Sequence, residues 1–203
     1  MKIGVLGGTF DPIHNGHIGA AEEVRRRLEL EKVIFVPAGQ PWLKADSAIS
    51  PARHRVEMVR LGIAGHSHFE ISLVEVNRTG PSYSVDTISE LSAELGEDTE
   101  LFFIIGCDSL GQLPQWKDSA RLVKLCRLVA VPRPGCERPD LEQLEALVPG
   151  LSQSLILLDK PEIDVSATDI RRRVAKGLSI RGLVPAPVAE YIRQHKLYLK
   201  EGA

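Results

Sequence analysis

The sequence predicts an α/β protein, a doubly wound parallel sheet flanked by helices in a single domain. Three observations carry that prediction. Short apolar runs ended by Gly, Pro or Asp alternate with longer stretches whose apolar residues recur at three- and four-residue spacing, as buried parallel strands and crossover helices require. A chain of 203 residues with 43% hydrophobic content can bury one sizeable core. No repeat, low-complexity tract or long linker divides it.

The elements follow in order. "KIGVLG" (2–7) reads as the first strand, ended by Gly7-Gly8, and "HIGAAEEVRRRLEL" (17–30) as the first helix. "KVIFVP" (32–37) is the second strand, "PARHRVEMVRLGIAG" (51–65) the next helix, and "HFEISLVEV" (His68 to Val76) a further strand. "SVDTISELSAEL" (84–95) is a crossover helix; "LFFIIG" (101–106), "RLVAVP" (127–132) and "SLILLD" (154–159) are strands. In "RPGCERPDLEQLEALVPG" (133–150), Pro and Gly bracket one helical turn or two. Near the C-terminus Ser166 and Asp169 form a capping-box-like pair, Gly177 closes that helix, and Pro185 opens the next.

With 25 Lys+Arg against 27 Asp+Glu the formal net charge is -2, so nothing advertises nucleic acid as a partner. An anionic ligand must therefore be met by a local cluster of donors. Cys107, Cys126 and Cys136 contain no CxxC pair and are odd in number, which argues against a disulfide framework or a zinc knuckle and for a reducing, cytoplasmic setting. The N-terminus runs straight into a strand-like stretch, with no signal-peptide pattern, and no 18-residue apolar span predicts a membrane anchor.

In a doubly wound sheet ligands sit at the carboxyl ends of the strands near a switch point, and "GGTFDPIHNGH" (7–17) falls there. Gly7 and Gly8 would let the backbone turn sharply and bring bare N–H groups close to a ligand, although a plain tight turn would use them equally. The segment is neither GxGxxG nor a Walker loop. With a helix starting near Asn15 or Gly16, His14 and His17 flank its free N–H groups, where two imidazole donors can stabilise charge on a phosphoryl oxygen. One histidine capping the loop and the other lying on the surface is the bland alternative. Metal ligation with Asp11 is a third, and no further His/Cys cluster completes a shell. In "VSATDIR" (165–171), Thr168 and Arg171 share a face near a helix start and could hold a polyphosphate; an ordinary capped surface helix would look much the same.

Together, "GGTFDPIHNGH" and "VSATDIR" resemble the motifs of the HIGH-motif nucleotidylyltransferases. The likeness extends to the bacterial nicotinate-nucleotide adenylyltransferases through "GPSYSVDTI" (80–88), "FIIGCDSLGQLPQW" (103–116), "AVPRPG" (130–135) and "LVPAPVAEYIRQHKLY" (183–198), nearly end to end. The resemblance implies a Rossmann-like fold in one nucleotidylyltransferase domain over 1–203, with the helical part at about 166–200 completing the ATP site. It also implies the reaction: the phosphate of nicotinate mononucleotide attacks the α-phosphorus of ATP, giving nicotinate adenine dinucleotide (deamido-NAD) and pyrophosphate in NAD biosynthesis. No covalent intermediate is involved, so catalysis is positioning and charge stabilisation.

By the same resemblance His14, His17 and Arg171 are catalytic, with His17 the main stabiliser of the transition state. Gly7, Gly8, Thr9, Phe10, His17, Lys44, Gly106, Asp108, Ser166, Thr168 and Arg171 contact ATP. Thr9, Lys44, Ser84 and Trp116 contact nicotinate mononucleotide, Trp116 by stacking on the pyridine ring and Ser84 by its hydroxyl; Tyr83, Asp86 and Thr87 shape that loop. For Trp116 a core position, for Asp108 a helix cap, and for Lys44 a solvated loop are the structural alternatives. "PWLK" (41–44) departs from the family, with Trp42 and Leu43 where proline and histidine are usual. Mg2+ is expected on the ATP phosphates, with no protein metal site. The expected partners are the two small-molecule substrates, with neither nucleic acid nor membrane; exposed sheet edges would permit a homodimer. Rival readings are a nicotinamide-nucleotide or pantetheine-phosphate adenylyltransferase, a cytidylyltransferase, or a nucleotide-binding regulator without turnover.

Overall fold

A computed structural model describes residues 1–41, 49–136, 139–160 and 164–199. Six parallel strands, β1 (Lys2–Gly8), β2 (Lys32–Pro37), β3 (Phe69–Ile71), β4 (Glu100–Gly106), β5 (Arg127–Val131) and β6 (Leu155–Leu157), form one sheet in the order β3-β2-β1-β4-β5-β6. The chain winds outward from β1 to β3, then returns to the other side of β1, so the switch point lies between β1 and β4. Because all strands are parallel, a helix entered directly from a strand begins at the same carboxyl edge of the sheet.

The helices are α1 (Asn15–Leu28), α2 (Ala52–Ile63), α3 (Val74–Asn77), α4 (Ser84–Leu95), α5 (Cys107–Leu110), α6 (Ser119–Leu125), α7 (Leu141–Leu147), α8 (Leu151–Ser154), α9 (Ala167–Ala175) and α10 (Ala186–Gln194). They cover both faces, giving one hydrophobic cluster around Val24, Phe35, Met58 and Ile104 and a second around Val5, Ile88, Phe103 and Leu128. Neighbouring residues of β1 such as Val5 and Leu6 face opposite clusters, which is why the strands read as unbroken apolar runs. No helix among the described residues is long and apolar enough to cross a membrane.

Three expectations are corrected, and one helix is added. Gly7 and Gly8 are strand residues, registered with Val36 and Pro37 of β2, and the sharp turn falls at Phe10, at φ 49°. Their small size serves close approach: a Cβ on Gly8 would stand 3.0 Å from the Phe10 ring. The expected strand from His68 to Val76 stops at Ile71; Val74–Asn77 are helical, and Glu75 of that turn is drawn into the interior by the Thr87 hydroxyl at 2.7 Å. Cys107 and Cys136 are joined as a disulfide across 29 residues. The pairing of β4 with β5 puts the loops that follow both strands at one sheet end, a proximity hidden in the linear spacing. Finally α6, "SARLVKL", buries Leu122 and Val123, a helix too short to announce itself by period.

Candidate active site

The motif that follows β1 and the segment that follows β4 meet at the carboxyl edge of the sheet. His14 is the N-cap of α1, with extended backbone, and His17 stands on its first turn. Their rings stack at 3.6 Å between centroids and 21° between planes, and Phe10 meets His17 edge-on at 5.0 Å. Phe10 is buried, its ring part of the first hydrophobic cluster.

The backbone N–H of His14 donates to His17 Nδ1 at 3.2 Å. That bond requires an unprotonated Nδ1, so a neutral His17 carries its proton on Nε2. His14 is 3% exposed; burial, reinforced by the Arg133 charge, pushes its pKa down to about 4. At neutral pH it is an uncharged imidazole, and its buried Nδ1 has no partner among the described residues. α1 has no side-chain oxygen cap: its start is tied by the His14–His17 bond and by the Asn15 N–H on the Leu183 carbonyl, and its first turn holds no acidic residue to offset the positive end of the helix.

The loop between β1 and α1 is held from outside. Arg55, 2% exposed, spends its guanidinium on three carbonyls: Ser50 at 2.9 Å, Thr9 at 2.9 Å and Gly39 at 3.3 Å. Asp11 is buried and its two carboxylate oxygens accept from the Ser50 N–H and the Tyr198 hydroxyl, so the metal-ligand reading for Asp11 is set aside. Asn15, at the start of α1, donates its backbone and side-chain N–H groups to the carbonyls of Leu183 and Gly182.

At α9 the capping reading holds: Ser166 Oγ accepts from the Asp169 N–H at 3.1 Å, and Gly177 follows the helix at φ 68°. Arg171 Nη2 donates to Thr168 Oγ1 at 3.2 Å, and Nη1 reaches across 160 residues to the Asp11 carbonyl at 2.6 Å. The structure thus brings Thr168 and Arg171 of α9 to the loop that precedes α1.

Across the switch point Gly106 ends β4, and a Cβ there would collide with the Asp108 carboxylate. Asp108 is exposed and pairs with Arg133 at 3.4 Å; it makes no side-chain cap of α5, which answers the capping alternative. Ser84 is the first residue of α4, whose N-cap Tyr83 supplies no side-chain cap. Thr87 ties α4 to Glu75, and Asp86 pairs with Lys117 at 2.8 Å. Trp116 is half-buried, edge-on to Phe103 at 6.3 Å, so it belongs in part to the second cluster. Its Nε1 is buried without a partner among the described residues. Lys44 lies outside the described residues. No group of three or more His, Cys, Asp or Glu that could hold a metal occurs among the described residues.

Sequence reasoning missed Arg55, Arg133 and Tyr198. Arg55 sat inside an amphipathic helix and passed for its polar face; only its burial marks it. A cleft of about 660 Å³ at the opposite edge, between Glu97, Glu100, Lys124 and Arg127, joins none of these groups.

The chain matches the cytidylyltransferase-like family over residues 5–173. A probable nicotinate-nucleotide adenylyltransferase of Dehalococcoides mccartyi is 50% identical over 201 residues, covering 99% of this chain and 98% of the relative. One from Thermomicrobium roseum is 46% identical over 197 residues, 97% of this chain and 91% of the relative. Among solved structures, the Plasmodium falciparum nicotinic acid mononucleotide adenylyltransferase complexed with NaAD superposes with a TM-score of 0.77 at 20% identity, over 97% of each chain. The same enzyme complexed with APC gives 0.75 at 19%, over 97% of this chain and 96% of the other, and both show the fold shared. The chain belongs to the nicotinate-nucleotide adenylyltransferase family within the cytidylyltransferase-like group.

Proposed function

We propose that this protein transfers the adenylyl group of ATP to nicotinate mononucleotide, forming nicotinate adenine dinucleotide and pyrophosphate, as a step of NAD biosynthesis. The observation that carries the reading is the stacked His14–His17 pair at the start of α1, whose first turn holds no acid, at the switch point of a chain in this family. A mononucleotide phosphate oxygen attacks the α-phosphorus in line, and the bond from that phosphorus to the bridging oxygen of pyrophosphate breaks. Negative charge grows on the phosphoryl oxygens as it does so.

The chain's groups are matched to that charge. His17, with its proton on Nε2, and the α1 N–H groups donate to the phosphoryl oxygens. His14 stays neutral at physiological pH and adds a dipole rather than a charge. Arg171 and Thr168 take the leaving pyrophosphate, so that 166–200 completes the ATP site of a single domain. Gly7, Gly8, Thr9 and the Phe10 backbone line the phosphates, and Gly106 and Asp108 face the ribose. Lys44, in a segment that departs from the family pattern, adds a cation to both substrates. Mg2+ arrives on ATP, held by phosphate oxygens and water, and screens their charge.

On the acceptor side the uncapped start of α4 at Ser84 offers N–H groups and a hydroxyl to the pyridine carboxylate, while Trp116 gives the ring a stacking face. This favours the acid over the amide. ATP and the mononucleotide are proposed as the partners in the cytoplasm, with no nucleic acid or membrane, and β3 and β6 leave two sheet edges through which a homodimer could form. The test is pyrophosphate release with ATP and magnesium, run in parallel with nicotinate mononucleotide, nicotinamide mononucleotide and phosphopantetheine. Turnover with the first alone is expected. Equal kcat/KM for the amide would remove the acid preference, and silence with all three would remove the activity.

A further inference from the structure

The β1–α1 loop takes its shape from side chains that lie far away in sequence, and Asp11 is where they converge. It is 3% exposed, and it binds three remote segments. Oδ2 accepts from the Ser50 N–H at 3.1 Å, Oδ1 accepts from the Tyr198 hydroxyl at 2.6 Å, and the main-chain carbonyl accepts from Arg171 Nη1 at 2.6 Å. A buried carboxylate oxygen without a donor is costly, and a guanidinium is the strongest donor available to it. Of the two arginines at this loop, Arg55 already has Nε and both terminal nitrogens committed to carbonyls. Among the described residues, Arg171 is held by the Thr168 hydroxyl and by the carbonyl of Asp11 itself.

We propose that Tyr198 is a positioning residue for adenylyl transfer: by occupying Asp11 Oδ1 it prevents the carboxylate from capturing Arg171, and so keeps that guanidinium set toward the phosphates beside His14 and His17. The inference rests on the function proposed above. Tyr198 sits 187 residues from Asp11 in sequence, beyond α10, with its hydroxyl on Asp11 and Met58. Burial and the Asp11 charge both push its phenol pKa above the ordinary value, so the hydroxyl stays a donor throughout the working pH range.

Tyr198→Phe keeps the ring and deletes the hydroxyl. A displaced Arg171 then costs about tenfold in kcat, below the roughly hundredfold that a 1 Å misplacement can cause. KM for ATP rises, while KM for nicotinate mononucleotide stays within about twofold. Adding Asp11→Asn to Tyr198→Phe removes the charge that attracts Arg171 and restores kcat to within about threefold of wild type. Tyr191→Phe is the control: its hydroxyl meets His54 Nδ1 at 2.9 Å on the α2–α10 contact, and its kinetics are expected to match wild type. Wild-type constants in Tyr198→Phe overturn the proposal. So does a loss spread equally over both substrates that Asp11→Asn fails to relieve. If Tyr198→Phe melts below the assay temperature, the double variant decides: kcat within about threefold supports the proposal, and a loss beyond about tenfold overturns it. If the wild-type chain makes no dinucleotide, the proposed activity is what fails. ATP dissociation constants, which need no turnover, then decide the positioning role, weaker binding in Tyr198→Phe supporting it and equal binding overturning it.

Discussion

The starts of α1 and α9 look alike in the sequence, each a run of polar residues before an amphipathic helix, and they differ in what the chain leaves unsatisfied. At α9 the chain satisfies its own terminus: Ser166 caps the Asp169 N–H, and Asp169 adds a carboxylate in the first turn. At α1 the N-cap is a histidine whose backbone N–H donates to the His17 ring, and the first turn holds no acid. A first-turn carboxylate offsets the positive end of a helix, and where none stands an arriving anion gains more from that end. The start of α1, proposed above to meet the phosphates, lacks such a carboxylate, while α9 has one and carries Thr168 and Arg171. The chain places negative charge at one start and leaves it out at the other.

The largest effect should follow from the α1 side. His17→Ala is expected to lower kcat by about 10²–10³, the usual cost of one transition-state donor, with its melting temperature little changed. Near-normal kcat would demote His17 to a helix-terminus residue and erase the distinction between the two starts. Arg171→Ala should cost about tenfold to a hundredfold in kcat/KM for ATP, the worth of one or two charge-assisted hydrogen bonds. Steady-state kinetics with each substrate varied in turn will show whether that loss falls on ATP.

Much of this contrast was legible beforehand, and the limits have physical causes. The parallel sheet, the α1 and α4 helices and the Ser166 cap were readable because period, Gly/Pro stops and capping pairs are local signals. What failed was long-range. Nothing near Tyr198 marks it as a partner of Asp11, which it meets from beyond α10, and nothing near Cys107 points to Cys136, which the pairing of β4 with β5 makes its neighbour. Gly7-Gly8 misled for another reason: a glycine placed for close packing and one placed for a turn are written the same way. The two halves of the site also differ here. His14 and His17 lie three positions apart in one motif, whereas Ser84 and Trp116, proposed for the acceptor side, follow β3 and β4 in separate segments.

Next in size is a pH effect confined to α1. Its sign follows from His14, which binds its proton at about 4 when folded and at 6.5 when unfolded. Between those values the unfolded chain holds more protons, so stability present above pH 6.5 is lost as pH falls toward 4. From pH 7.5 to 5 the loss due to this residue is about 2 kcal/mol. Urea unfolding of wild type and His14→Ala at both pH values checks it, and an identical pH dependence in the two proteins would show that His14 carries none of it.

The smallest effect should come from α9. Ser166→Ala removes the acceptor for the Asp169 N–H and costs about 1 kcal/mol of stability, a fall of about 2–4 °C in Tm. Because that terminus is occupied by the chain itself, kcat and both KM values should stay within about twofold, since Thr168 and Arg171 remain in place. A large fall in kcat with an unchanged Tm would mean that the Ser166 hydroxyl leaves its cap and binds phosphate during turnover. The two helix starts would then be working alike, one without an acid from the outset and the other uncapped by the substrate.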